Sequence, residues 1–251
     1  MKYIASCSFG KDSLAMILKL LELKYPLDEV VYFDIGAEFE SIYTNKELIK
    51  KELGKREIQF TELKPKHDFF YTMLEKEVQK RNEQKQSGYK WCGGLCRWGT
   101  TLKLNAIKKN NKKYGDEFIV EYVGIAVDEQ ERLLRERVKR CENRLKLYPL
   151  AEWGMSEKDC LNYCYSKGFS WSENGIELYK VLDRVSCWCC RNKNLKELEN
   201  MFLFLPDYWE KLKELQSKIE IPFRNDGKTI FDLENIFRNK NILFCGEKND
   251  E

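Results

Sequence analysis

The sequence has little histidine and proline, little net charge and no long hydrophobic run. Its 251 residues include one histidine, His67, and five prolines. A single histidine excludes a metal site built from several imidazoles and argues against a serine–histidine–aspartate triad. No stretch approaches the roughly 18 apolar residues that cross a bilayer, so no membrane association is expected. With 44 Lys and Arg against 41 Asp and Glu, the net charge of +3 gives no overall electrostatic argument for a nucleic-acid partner.

The chain is rich in cysteine, with ten residues, and 43% of its residues are hydrophobic. The length fits one large domain, or an ordinary domain with a small appendage. The first ten residues lack the order of a secretory signal, so we expect a cytoplasmic protein whose thiols stay reduced. In that compartment, ten cysteines favour metal or redox chemistry over disulfides.

Short hydrophobic runs alternate with amphipathic segments up to residue 127. The runs predict strands at residues 2–7, 30–35, 57–63 and 118–127, with helices at 13–24 and 41–53 between them. This order indicates an α/β fold: a doubly wound parallel sheet with helices on both faces. Because such sheets bind ligands at the carboxyl ends of their strands, chemistry is expected in the turns after Cys7, Ile35 and Val127.

The pattern becomes helical beyond residue 128. Ser156 and Asp159 form the sequence of a capping box that opens a helix, and Gly168 would close it. Two further helices are predicted at Leu195–Phe204 and 206–218, whereas the tail from Arg224 is polar and weakly patterned. We therefore expect a nucleotide-binding α/β domain at residues 1–168 and a cysteine-bearing helical C-terminal region at 169–251.

The turn after the first strand reads Ser8-Phe9-Gly10-Lys11-Asp12-Ser13. Gly10 allows close backbone approach, and successive amides, a helix N-terminus and Lys11 would present positive potential to a phosphate. The alternative is an ordinary turn in which Asp12 or Ser13 caps the following helix. The position after the first strand favours the phosphate interpretation.

This loop resembles the PP-loop of the adenine nucleotide alpha-hydrolase superfamily. Three further segments resemble its phosphoadenosine phosphosulfate reductase branch, and they lie at residues 33–40, 123–132 and 148–153. The resemblance implies an adenine nucleotide alpha-hydrolase-like fold, with ATP and Mg²⁺ at the loop. It further implies an adenosine site at the second strand end, closed on the far side by residues near the fourth strand. The residues concerned are Phe33, Asp34, Ile35 and Gly36, and then Gly124, Asp128 and Arg132.

The sequence departs from this family in informative places. Phe9 replaces the first loop glycine, and Ala126 stands where many of the reductases have arginine. The intact Lys11-Asp12-Ser13 resembles the ATP-using relatives rather than the sulfonucleotide reductases. The resemblance therefore implies adenylyl transfer with release of pyrophosphate, and Lys11, Asp12 and Arg132 are the expected catalytic residues.

Two distant cysteine clusters indicate one metal centre. Cys92 and Cys96 form a C-x-x-x-C pair, and the second cluster reads Cys187-Trp188-Cys189-Cys190. Four converging thiolates suit a [4Fe–4S] cluster or zinc, and the family resemblance implies the cluster. The expected ligands are Cys92, Cys96, Cys187 and Cys190, with Cys189 as the replacement; the alternative is that these are reduced packing cysteines.

For several other cysteines and arginines, the sequence favours structural roles over functional ones. Cys160 and Cys164 fit core packing at helical spacing, and Cys7 is expected to be buried beside the loop. Most of the arginines after the fourth strand are expected on a solvated helix face, with Arg132 as the exception.

Two other functions stay open at this point. The first is a sulfonucleotide reductase that uses Cys245 and a thioredoxin-like reductant, and the second is a non-catalytic nucleotide- or redox-sensing module with structural zinc. The expected partners are an adenine nucleotide, an acceptor that is a nucleic acid or a small molecule, and a sulfur donor. A homodimer is one option for the assembly.

Overall fold

The computed structural model describes residues 1–79, 85–137 and 143–246, with side chains described except at 137 and 241–246. The strands are β1 Lys2–Ser6, β2 Glu29–Phe33, β3 Gln59–Leu63, β4 Glu77–Gln79, β5 Lys85–Ser87, β6 Ile119–Val123, β7 Arg144–Leu147, β8 Ser172–Glu173 and β9 Ile176–Glu177. The α-helices are α1 Lys11–Glu22, α2 Glu40–Gly54, α3 Phe69–Leu74, α4 Lys103–Asn111, α5 Gln130–Arg137, α6 Pro149–Glu152, α7 Glu157–Ser166, α8 Leu178–Val181, α9 Leu195–Phe204, α10 Pro206–Ser217 and α11 Ile230–Gly246.

Five parallel strands form the central sheet in the order β3-β2-β1-β6-β7. Strand β1 lies in the middle, where Ala5 pairs with Val30 of β2 and with Tyr122 of β6. The α/β fold with a parallel sheet is confirmed. Since β1 has neighbours on both sides, the loop that follows it lies at the centre of the carboxyl edge of the sheet.

Helix α1 packs its apolar face on the sheet and against α7. Leu14, Ile17 and Leu20 are fully buried, and so are Cys160 and Cys164 of α7. The Cys164 Sγ donates to the carbonyl oxygen of Lys11 at 3.5 Å. The packing role predicted for these two cysteines is confirmed, and their burial fixes the position of α7 beside the start of α1.

Strand β7 and helix α11 were not predicted. Strand β7 lies within the basic stretch, so its sequence lacks a hydrophobic run. Its charged side chains form ion pairs within the chain: Arg144 Nη1 lies 3.2 Å from Glu121, and Lys146 Nζ lies 2.6 Å from Glu136. The expectation of a weakly patterned tail is wrong, because α11 is a helix of 17 residues. It buries Leu233 and Phe237, which are four residues apart on one face.

The C-terminal elements pack onto the same hydrophobic core as the sheet. Trp171, Leu198 and Trp209 belong to one cluster of buried residues with Leu14 and Val30. The domain boundary at residue 168 stays a prediction. Among the described helices, none is long and apolar enough to span a membrane.

Candidate functional site

The loop after β1 is the start of a helix rather than a separate turn. Gly10 is the N-cap of α1 and makes no side-chain capping hydrogen bond, so Lys11, Asp12 and Ser13 form the first helical turn. The alternative in which Asp12 or Ser13 caps the helix is therefore wrong. The amide groups of a first turn have no carbonyl partner within the helix, and they carry the positive end of its dipole. This geometry suits an anion.

Phe9 takes a left-handed backbone conformation, with φ of +58°, a region that favours glycine. Its side chain is fully buried and makes an edge-on contact with Tyr32, the ring centroids lying 5.0 Å apart. Its carbonyl oxygen accepts a hydrogen bond from Trp171 Nε1 at 2.8 Å. Packing and this bond thus hold a conformation that a non-glycine residue rarely adopts.

Two serines close the loop on itself. The Ser13 hydroxyl accepts from the backbone amide of Ser8 at 3.1 Å and lies 3.1 Å from the Ser8 hydroxyl. Cys7 is buried beneath them, as predicted, and its Sγ donates to the Ser13 oxygen at 3.7 Å. Burial raises the pKa of the Cys7 thiol to about 11, so this thiol is neutral.

Lys11 is bound within the chain by both its amine and its amide. Its Nζ forms an ion pair with Glu157 at the start of α7 and lies 3.5 Å from Asp12 Oδ2. Its backbone amide donates to the hydroxyl of Tyr179 at 2.9 Å. Burial favours the neutral amine, but the carboxylates of Asp12 and Glu157 outweigh it and raise the pKa of Lys11. Lys11 is therefore a cation at neutral pH.

Asp12 is the least satisfied polar group of the loop. Its Oδ1 is buried without a hydrogen-bond partner among the described residues. Burial raises the pKa of Asp12 to about 6; Lys11 lowers it, and the charges of Glu157 and Glu129 raise it. A buried carboxylate oxygen with no partner is costly unless a ligand supplies one.

The residues after β6 build the far wall of the loop. A Cβ on Gly124 would lie 3.0 Å from Ser13 Cα, so glycine lets the start of α1 approach the sheet. The Asp128 carboxylate accepts from the backbone amide of Glu157 at 3.1 Å, and Arg132 Nη1 pairs with Glu129 at 2.8 Å. Gly124 and Asp128 thus position the loop and α7, whereas Arg132 is half exposed beside them.

The second strand end lies at the same edge. Phe33 and Ile35 are buried, and Gly36 takes a φ of +81° in the turn that follows. Asp34 holds this turn, because its Oδ1 accepts from the Gly36 amide at 2.8 Å and from the Tyr43 hydroxyl at 3.1 Å. The structure brings these residues to the edge expected of them, with Asp34 engaged in the turn.

The two cysteine clusters lie on neighbouring loops. Asn192 joins the loops, since its Nδ2 donates to the Gly94 carbonyl at 3.0 Å and its Oδ1 accepts from the Gly94 amide at 2.8 Å. Burial raises the pKa of the Cys96 thiol, and the charges of Cys92 and Cys190 act in the same direction.

The second cluster is connected internally and to the sheet edge. The neighbouring Cys189 thiol and burial raise the pKa of the Cys187 thiol well above its ordinary value. The Trp188 amide donates to the Ala37 carbonyl at 3.1 Å, which ties this turn to the segment after β2.

Within the described part of the chain, no three His, Cys, Asp or Glu side chains stand in a metal-holding arrangement. The donors nevertheless suit a soft metal, because thiols are soft ligands and the hydrogen bonds between Asn192 and Gly94 hold the two cysteine loops side by side. The ligand assignment to Cys92, Cys96, Cys187 and Cys190 stays a prediction. Cys245 lies on α11, and its side chain is outside the described ones.

Four residues of this edge were not singled out by the sequence interpretation. They are Glu38, Lys103, Glu157 and Tyr179. Lys103 is half-buried, and burial lowers its pKa while the charges of Glu38 and Cys7 raise it. Burial also raises the pKa of Glu38 to about 7. Glu38 follows the second strand closely and Glu157 lies inside the predicted capping box, so both carried a positional signal in the sequence. Lys103 and Tyr179 reach the site through tertiary packing.

The chain belongs to the phosphoadenosine phosphosulfate reductase family, since the profile of the phosphoadenosine phosphosulfate reductase domain matches residues 2–190. The sequence is also similar to a protein of uncharacterised function from Methanocaldococcus jannaschii, with 27% identity over 217 residues. That match covers 81% of this chain and 39% of the relative, so this chain spans about two-fifths of the relative's length.

One solved structure shows a weak likeness. It is the U34-tRNA thiolase NcsA from Methanococcus maripaludis with its [4Fe–4S] cluster, at 13% identity and a TM-score of 0.45. The match covers 95% of this chain and 72% of the thiolase. A likeness of this degree does not bear on the function of the present chain.

Proposed function

We propose that this protein is an ATP-dependent PP-loop enzyme that transfers the adenylyl group of ATP to an acceptor and releases pyrophosphate. The observation that carries the proposal is the position of Lys11, Asp12 and Ser13 in the first turn of α1, at the centre of the carboxyl edge. A buried lysine cation and a helix N-terminus together favour a polyphosphate over a neutral ligand. The reaction would prepare the acceptor for sulfur chemistry.

The chemistry assigned to the loop is phosphate positioning and charge stabilisation. A nucleophilic oxygen of the acceptor attacks the α-phosphorus, and the bond between that phosphorus and the oxygen bridging to the β-phosphate breaks. Lys11 exchanges its partner Glu157 for the phosphates and stabilises the pyrophosphate as it leaves. Ser8 and Ser13 offer hydroxyl groups to the phosphate oxygens.

Asp12 is the residue best suited to hold Mg²⁺ beside the phosphates. Its buried, unpartnered Oδ1 is the kind of hard oxygen ligand that Mg²⁺ prefers, and nearby Glu157 and Glu129 add negative potential. The ion would offset phosphate charge and orient the leaving group. On this proposal Asp12 is deprotonated in the complex, since a bound cation favours the charged carboxylate.

The rest of the nucleotide would lie along the carboxyl edge. The turn of Phe33, Asp34, Ile35 and Gly36 supports the adenosine, while Gly124 and Asp128 hold the loop and α7 in place. Arg132 would turn from Glu129 towards the phosphates, which its exposure permits. The acceptor, a nucleic acid or a small molecule, would enter from the open side, and a sulfur donor would follow.

The thiols of Cys92, Cys96, Cys187 and Cys190 would hold a [4Fe–4S] cluster, with zinc as the alternative metal. A cluster here would supply iron for binding or transferring sulfur close to the nucleotide edge. The tie between the Trp188 amide and the Ala37 carbonyl supports this placement, because it connects the cysteine turn to the segment that follows β2.

Calorimetric titration of the anaerobically purified protein with MgATP tests the proposal. We expect ATP to bind, and Lys11→Ala to weaken binding roughly 10- to 100-fold, because a charge-assisted contact to the phosphates is lost. Lys19→Ala on the same helix is the matched control, since Lys19 lies over the rings of Trp153 and Tyr163. No ATP binding, or equal ATP binding by wild type and Lys11→Ala, would contradict the proposal.

The same sample separates the other functions. Absorption near 400 nm with iron and labile sulfide supports the cluster, whereas zinc without either supports a structural metal. Sulfite production from adenosine phosphosulfate that is lost in Cys245→Ser would instead establish the reductase function.

A further inference from the structure

The hydroxyl of Tyr179 occupies the loop that is assigned to phosphate. It accepts a hydrogen bond from the Lys11 amide at 2.9 Å. A Cβ placed on Gly10 would lie 3.4 Å from the same hydroxyl oxygen, so the hydroxyl stands directly beside the loop glycine. Tyr179 thus contacts the first turn of α1, although it lies 168 residues after Lys11 in the chain.

The ring of Tyr179 is held by its neighbours. It packs edge-on against Trp171, with the ring centroids 4.9 Å apart, and Trp171 is itself fully buried. Trp171 also donates to the Phe9 carbonyl at 2.8 Å, so the same aromatic pair binds the loop on both sides of Gly10. The Lys11 amine lies 5.3 Å from the centroid of the Tyr179 ring. The packing of the ring against Trp171 therefore fixes the position of the Tyr179 hydroxyl.

The hydroxyl has a proton to give. Among the described residues its hydrogen-bond partner is the Lys11 amide, which uses an oxygen lone pair and leaves the phenolic proton free to donate. Burial raises the pKa of Tyr179, so the hydroxyl stays protonated and neutral at physiological pH. A neutral donor beside a phosphate oxygen attracts it, whereas the carboxylates that pair with Lys11, those of Asp12 and Glu157, would repel it.

We infer that Tyr179 is a further nucleotide-positioning residue, whose hydroxyl donates to a phosphate oxygen of an adenine nucleotide held on the loop. The inference rests on the proposed function for the choice of ATP, but it applies to any nucleotide phosphate bound there. Tyr179 remains in place when the nucleotide binds, while Glu157 gives up Lys11.

The variant Tyr179→Phe keeps the ring and removes only the hydroxyl. In titrations of the full chain we expect its affinity for ATP and for inorganic pyrophosphate to fall about tenfold, the size of one hydrogen bond to a charged group. Adenosine binding is expected to stay as in the wild type, and the melting temperature is expected to fall only slightly, because the Lys11 amide loses its acceptor. Tyr165→Phe is the matched control, because its ring also contacts Trp171, with centroids 6.4 Å apart, and none of its described contacts reaches the loop.

Unchanged ATP affinity in Tyr179→Phe would overturn the inference, and so would an equal loss of ATP and adenosine binding, which would indicate a structural role. If the wild type binds adenosine phosphosulfate instead of ATP, the proposed function fails. The inference then stands only if Tyr179→Phe weakens that ligand. A wild type that binds no adenine nucleotide and no pyrophosphate would overturn both.

Discussion

Each end of the central sheet buries a carboxylate, and the two carboxylates differ in their hydrogen-bond partners and in the direction of their pKa shifts. At the amino end, Glu29 is fully buried at the start of β2. Its carboxylate accepts from Lys113 Nζ at 2.6 Å, from the Tyr114 hydroxyl at 2.6 Å and from Asn110 Nδ2 at 3.4 Å, and also from the Thr61 hydroxyl. Burial alone would raise the pKa of Glu29, but these donors lower it.

At the carboxyl end, Asp12 has one oxygen near Lys11 and one buried oxygen without a partner among the described residues. Burial and neighbouring carboxylates there raise its pKa to about 6. On the proposed function, this difference separates architecture from function: the carboxylate at the amino end is satisfied within the folded chain, whereas the one at the carboxyl end would gain its missing partner from a ligand.

The largest effect on stability is expected when the ion pair between Lys113 and Glu29 at the amino end of the sheet is removed. Lys113→Ala removes the cation that faces a fully buried carboxylate, so we expect a loss of about 3 kcal/mol in the free energy of unfolding by urea. The exposed neighbour Lys112→Ala should change it by less than about 0.5 kcal/mol. The folded fraction of Lys113→Ala should bind ATP with the affinity of the wild type. Loss of ATP binding in this variant would show that the amino end of the sheet also contributes to the nucleotide site.

The next effect comes from the carboxyl end. Asp12→Asn removes the negative charge of the side chain assigned to Mg²⁺, so MgATP affinity should fall about tenfold in calorimetric titration. The free energy of unfolding should stay level or rise slightly, because a poorly satisfied buried charge has been removed. A clear loss of stability without a loss of MgATP affinity would show that Asp12 serves the fold.

The two carboxylates should also give opposite dependences of stability on pH. Asp12 titrates at about 6 when folded, against an ordinary 3.8, so it stabilises below about pH 4 and this contribution is lost as the pH rises through 6. Glu29 has a lowered pKa, so its contribution is present above its ordinary value and is lost as the pH falls below it.

We expect the Asp12 effect to be on the order of 1 kcal/mol between about pH 4 and 7. Urea unfolding of wild type, Asp12→Asn and Glu29→Gln across that range measures it. Parallel curves for wild type and Asp12→Asn would refute the assignment.

The smallest effect concerns the internal partner of Lys11. Glu157 is 44% exposed, and its carboxylate competes with phosphate for the lysine. Glu157→Gln should therefore raise ATP affinity about threefold, which corresponds to a half-exposed ion pair. Glu131→Gln, an exposed carboxylate on α5, should leave ATP affinity as it is. A fall in ATP affinity in Glu157→Gln would mean that Glu157 supports the nucleotide.

Much of the fold follows from local patterns in the sequence. The hydrophobic runs of β1, β2 and β6 and the capping box of Ser156 and Asp159 predicted real elements, and α9 has the predicted bounds. Strand β7 was missed because Arg144 and Lys146 alternate with its two leucines, and their pairing with Glu121 and Glu136 is visible only in the tertiary structure.

The candidate site was predicted where a local motif or a resemblance to the family marked its residues, as at the loop, the second strand end and the segment after β6. The loop 8–13 could be recognised because strand, glycine, lysine and helix are adjacent in sequence. The contacts of Tyr179 and Glu157 with Lys11 could not, since each reaches Lys11 across more than 140 residues of chain. The left-handed conformation of Phe9 was also hidden, because it depends on the packing of Tyr32 and Trp171 around it.

Hydrogen–deuterium exchange with and without MgATP tests the central claim, that the carboxyl edge around Lys11 is the nucleotide site. The account predicts slower exchange of the amides at residues 10–13 on addition of saturating ATP, with no change at residues 110–114 beside Glu29. Saturating ATP that leaves residues 10–13 unchanged, or protects the two ends alike, would contradict it.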